Sequence, residues 1–186
     1  YIFNYGQIQY IPIEAVAIVI QCKSSSFKKN EIKSWVESID KLDTNSQSIA
    51  RMAANLLVDA STKTQPASRP IKILCSLKSY VDEKDHPLCD FDIAITALEE
   101  GSIKISYSKS FETLSGAYKE LNWKGCKDRE VDLDDLNKLK NKEINSFKVD
   151  DNTILSLIFQ LNQLLMLINN PMLFPHKAYA DLFNEN

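Results

Sequence analysis

The chain has 186 residues, 44% hydrophobic and 25% charged, which excludes a disordered composition and suffices for one α/β domain with a full core. Glycine is scarce at 4 and proline modest at 6, too few for the many tight turns of a β-sandwich. The net charge of -3 gives no global basic footprint for nucleic acid, so such a partner would have to be met by a local patch.

In chain order, Gln7 to Ile13 reads as extended, with Pro12 ending the run or marking an edge. Ala15 to Lys23 is a continuous apolar run rich in β-branched residues. That is the pattern of a central strand covered on both faces. A serine of Ser24–Ser26 can cap the next helix, which the spacing of Ile32, Trp35, Val36, Ile39 and Leu42 predicts from about Lys28 to Leu42. A second helix is expected from Ser46 to Ser61, then a polar loop from Thr62 to Pro70.

Ile71 to Leu77 is predicted as a strand. Phe91 to Leu98 and Ser102 to Tyr107 form a pair of strands joined at Glu99-Glu100-Gly101. Phe111 to Leu121 is weakly helical, and a helix is possible at Asp132 to Asn141 within a charge-rich stretch. Thr153 to Asn169 is a strong apolar helix, with Asp150, Asp151 or Asn152 as its cap. Gln160, Asn162 and Gln163 interrupt it, so it reads as a core helix and not a membrane span. The expected class is α/β, a central mixed β-sheet flanked by helices in a single domain.

The four cysteines, Cys22, Cys75, Cys89 and Cys126, have no metal-pair spacing. Three adjoin apolar runs and read as buried free thiols, so a cytoplasmic location is expected. His86 and His176 are isolated, which argues against a zinc site. No glycine-rich phosphate loop and no serine-hydrolase elbow is present. Asp90 and Asp92 alternate on one strand face and read mainly as flanks of a strand start, less as a carboxylate pair.

The segment that carries chemistry is the end of the apolar strand. Gln21 and Lys23 are two positions apart and so share a face. Ligands of α/β sheets bind at the carboxyl ends of strands. Phosphodiester cleavage needs a cation to stabilise charge and activate water, and magnesium takes oxygen ligands. The Gln21 amide oxygen and the Cys22 main-chain carbonyl can serve, and Lys23 can position water or neutralise charge. Glu14 is the nearest acidic candidate. Its parity puts it on the opposite face unless a bend after Pro12 re-aims it. Ser24, Lys28, Lys29 and Lys33 offer a local basic patch for a nucleic-acid backbone, or a solvated helix face.

The stretch Ile11-Pro12-Ile13-Glu14-Ala15-Val16-Ala17-Ile18-Val19-Ile20-Gln21-Cys22-Lys23-Ser24-Ser25 resembles the metal-site strand of the PD-(D/E)xK nuclease superfamily, in the form with Gln in place of the motif acid. Its members include restriction endonucleases, Mrr-like enzymes and nuclease modules of bacterial antiphage systems. A "P-x-E-x-V" start and an "I-Q/E-x-K-S" end are also similar to an uncharacterised bacterial nuclease-like family. The resemblance implies a restriction-endonuclease-like core and a magnesium-dependent DNA endonuclease, with manganese as a possible substitute. Lys23, Gln21 and Glu14 would be its catalytic residues, and Gln21, Cys22 and Glu14 its metal ligands. It is compatible with a homodimer through the C-terminal helix. The superfamily pattern also puts an Asp on the preceding strand, and Tyr1 to Ile13 contain none. The expectation is therefore either an Asp upstream of Tyr1 or an inactive nuclease-like binding or assembly module.

Overall fold

The computed structural model describes residues 3–5, 8–11, 16–24, 29–42, 69–77, 90–122, 137 and 139–168. The short strands β1 (Phe3–Tyr5) and β2 (Ile8–Tyr10) pair antiparallel in a two-stranded sheet. The main sheet has the order β3 (Ile18–Lys23), β4 (Ile71–Leu77), β5 (Ile93–Ala97), β6 (Ile103–Tyr107). β3, β4 and β5 run parallel, and β6 is antiparallel to β5. The α-helices among the described residues are α1 (Lys29–Asp40), α2 (Leu114–Asn122) and α3 (Thr153–Leu167).

Helices cover both faces of this sheet. Ile71, Ile73 and Ile93 point to one face, where they meet Phe111, Leu114, Ala117, Leu121, Ile144 and Leu164 from α2, α3 and their flanking turns. Leu74, one residue out of phase with Ile73, points to the other face and packs with Ile32 and Val36 of α1 and with Phe91. Trp35 stacks on Phe91, with ring centroids 5.5 Å apart. The chain is thus α/β, with a mixed sheet between helical layers, as its periodicities predict.

The place of β3 differs from expectation. It is an edge strand of the sheet among the described residues, and Ile20 is 55% exposed. β4 is the strand buried on both faces, from Ile71 to Leu74. An apolar β-branched run reports strand propensity but does not report how many neighbours the strand acquires. Cys22 likewise is exposed where burial was expected, because β3 is an edge strand among the described residues; Cys75, its register partner on β4, is half-buried, and both are free thiols.

Local signals were read more closely. The turn at Glu99-Glu100-Gly101 closes with Leu98 donating to the Ser102 carbonyl, and Gly101 takes the φ of 76° that favours glycine. Asn152 caps α3 by accepting from the Leu155 N–H at 3.0 Å. Gln160, 3% exposed, is satisfied by donating to the Ile144 carbonyl and accepting from the Tyr107 hydroxyl. The expected helix at Ser46 to Ser61 lies outside the described residues, as does most of the one at Asp132 to Asn141.

Candidate functional site

The carboxyl ends of β3, β4 and β5 share one edge of the sheet because the three strands are parallel. There Gln21 and Lys23 point to the α1 face, opposite Leu74 and Ser76 of β4. Both are half-buried. The expected pair is therefore formed. Between them, the Cys22 side chain points to the other face. The Ile71 N–H donates to the Ala17 carbonyl, and in a parallel ladder this sets the alternation of strand carbonyls. The odd-numbered carbonyls of β3 point to β4, and that of Cys22 points to the edge left open among the described residues.

The sequence reading did not find Glu31. It stands in the first turn of α1, with its Oε2 3.6 Å from the Lys23 Nζ. This places the amino end of α1 at the carboxyl end of β3. The available signal was an acidic residue in the first turn of the helix that follows the site strand. At 52% exposure Glu31 makes a weak, yielding ion pair with Lys23.

The other expected residues divide. Ser24 is exposed in the bend directly after β3, and Lys29 opens α1. Lys33 is exposed and pairs with Glu37 at 3.9 Å, one helical turn on. Glu14 and Lys28 lie outside the described residues. Among the described residues, no group of three or more His, Cys, Asp or Glu is placed to hold a metal. The donors at this end are an amide oxygen, a main-chain carbonyl and the Glu31 carboxylate. All are hard oxygens, the kind that a largely hydrated magnesium ion accepts.

Asp92 is not available for such chemistry. It is 5% exposed, and its carboxylate accepts from both Arg69 terminal nitrogens at 2.6 and 2.8 Å and from the Lys72 N–H at 2.9 Å. Arg69 also donates to the Glu120 and Pro70 carbonyls and lies over the Phe111 ring. Burial alone would lower the Arg69 pKa, but Asp92, with Glu120 and Asp40, reverses this, so the net direction is up and the guanidinium stays charged. The reading of Asp92 as a strand-start residue holds. Its partner Arg69, in a segment read as polar loop, was missed.

No family model matches this chain, and no curated protein or solved structure is detectably similar to it.

Proposed function

We propose that this protein is a metal-dependent phosphodiesterase acting on DNA, with its site at the carboxyl end of β3. The observation that carries this reading is the trio of Gln21, Lys23 and Glu31: an amide and an ammonium on one strand face, with a carboxylate 3.6 Å from the ammonium. Gln21, the outward Cys22 carbonyl and a carboxylate would hold magnesium or manganese. That carboxylate is Glu14 by sequence or Glu31 by position. The ion, when bound, supplies charge stabilisation on the phosphate and an activated water. Lys23 neutralises charge developing on the phosphate or orients the water, and its weak pairing with Glu31 leaves it free to turn toward an anion. Ser24, Lys28, Lys29 and Lys33 would meet the DNA backbone beside the site. The resemblance of Ile11 to Ser25 to the PD-(D/E)xK strand supports the same chemistry and, by analogy, a role in bacterial antiphage defence.

The same reading includes two sites brought together in a homodimer, as cutting both strands requires. On α3, Ile154, Ile158, Phe159 and Met166 are 59, 47, 45 and 75% exposed, an apolar surface suited to a second copy. A gel-filtration mass equal to one 21.2 kDa chain would count against it. No helix of the described residues is long and apolar enough to cross a membrane, and a cytoplasmic location is proposed from the free thiols.

A second reading, a non-catalytic binding or assembly module on the same scaffold, is favoured by the want of an Asp in Tyr1 to Ile13, before the site strand, and by the net charge of -3. Incubating supercoiled plasmid with the protein separates the two. Nicking or linearisation that needs magnesium and stops with chelator supports the enzyme. DNA retained but intact supports the module, and neither outcome on DNA or RNA ends both.

A further inference from the structure

The sheet register aligns four polar residues in one row across all four strands. Lys23 of β3 stands opposite Ser76 of β4, Ser76 opposite Thr96 of β5, and Thr96 opposite Lys104 of β6. Register partners point to the same face, and it is the face that α1 covers, because Leu74, two residues before Ser76, packs on Ile32 and Val36. With strands about 4.8 Å apart, the row is about 14 Å long. Lys104 at one end is exposed, Thr96 is half-buried, Ser76 is buried and Lys23 at the other end is half-buried.

Ser76 is the informative member. It is 6% exposed, and its hydroxyl has no hydrogen-bond partner among the described residues. A buried hydroxyl left so costs about 1–3 kcal/mol and calls for a reason. The hydroxyl lies in a row of donors, two ammonium groups flanking two hydroxyls, with no carboxylate in it. Such a row repels a cation and fits an oxyanion, whose several acceptor oxygens can be met by ammonium and hydroxyl together. Glu31 is the carboxylate shown near the row, and its exposed pairing with Lys23 can be exchanged for an incoming anion.

We propose that Lys23, Ser76, Thr96 and Lys104 form a binding strip for the phosphates of a nucleic-acid strand. This deepens the reading of the Gln21–Lys23 end, since Lys23 belongs to both. Ser76, whose hydroxyl is closed to solvent and has no partner among the described residues, gains an acceptor only when a phosphate enters between its half-buried neighbours Lys23 and Thr96. Phosphate oxygens supply the missing acceptor, and Lys104 provides the exposed end at which the strand arrives.

The test is metal-free binding of a short fluorescein-labelled single-stranded DNA, in chelator, followed by anisotropy. Ser76→Ala is expected to weaken binding about tenfold, the weight of one hydrogen bond to a charged group, with an unchanged unfolding midpoint. Lys104→Ala, at an exposed site that cannot disturb folding, is expected to weaken it similarly and to reduce the salt slope by about one. Lys148→Ala, at an exposed lysine just before α3 and outside the row, serves as the control and should change affinity less than either. Wild-type affinity in both Ser76→Ala and Lys104→Ala overturns the strip, as does equal binding of an acidic peptide of matched charge or no binding at all. The strip and the nuclease reading fail separately. Retained binding without magnesium-dependent cleavage leaves the strip standing, and cleavage with binding indifferent to Ser76 and Lys104 removes only the strip.

Discussion

The two ends of the parallel strands hold buried charge differently, although the Asn122 Oδ1 beside the amino end also lacks a partner among the described residues. At the amino end, the Asp92 carboxylate is fully engaged by Arg69 and the Lys72 N–H. The Lys72 ammonium, 3% exposed, is met by Asp40 at 2.8 Å. At the carboxyl end, Ser76 has a buried hydroxyl without a partner among the described residues, and Lys23 holds Glu31 only at 3.6 Å. Among the described residues, the buried charges at the first end, Arg69, Asp92 and Lys72, lock β4, β5, α1 and α2 together. The second end keeps its donors loosely committed, as a site that must accept a ligand does.

The sharpest way to break this contrast is Asp92→Ala. It strands the buried Arg69 guanidinium and is expected to lower the unfolding free energy by about 3–5 kcal/mol in denaturant titrations. Ser76→Ala at the other end is expected to be neutral or slightly stabilising, since it removes an unsatisfied group. Equal losses at the two sites would erase the distinction between them.

Next in size is Asp40→Ala, which leaves the Lys72 ammonium unpaired and is expected to cost about 3 kcal/mol. Lys72→Met, which removes the buried charge at similar volume, should cost less. The reverse order would show that Lys72 is held by something other than its partner at the α1 carboxyl end.

A smaller effect comes from pH. Burial first, and then neighbouring Cys22, pushes the Cys75 thiol up from its ordinary 9.0 to about 11. The folded state therefore resists ionisation that the unfolded chain allows. This contribution to stability is complete below about pH 9 and is lost as pH rises toward about 11. The unfolding midpoint of the wild type should fall over that window more than that of Cys75→Ala. At pH 8, iodoacetamide should modify exposed Cys22 before Cys75. The smallest effect is Lys33→Ala, which removes an exposed pair with Glu37 and should shift stability by no more than about 0.5 kcal/mol.

Periodicity made the layers legible. The apolar spacing of α1 and α3, the strand at Ile71 to Leu77 and the turn at Gly101 are local properties, and the structure follows them. Pairings between distant residues were not legible. Arg69 and Asp92 are 23 positions apart and meet only because β4 and β5 start side by side. Ser76, Thr96 and Lys104 looked like ordinary strand residues until the register aligned them with Lys23. The edge position of β3 was hidden for the same reason. Of the candidate site, Gln21 and Lys23 could be read because side-chain alternation along one strand is a local rule. Glu31 carried only the signal of an acidic residue in the first turn of the next helix, and its approach to Lys23 depends on the angle at which α1 returns over the sheet.

The most direct measurement is the rate at which Lys23→Ala, with an unfolding midpoint matching the wild type, nicks supercoiled plasmid in magnesium. Losing a charge-neutralising group at the phosphate should slow nicking by about 10²-fold or more, with folding intact. Nicking by Lys23→Ala at the wild-type rate would contradict the assignment of the β3 carboxyl end as the site of chemistry.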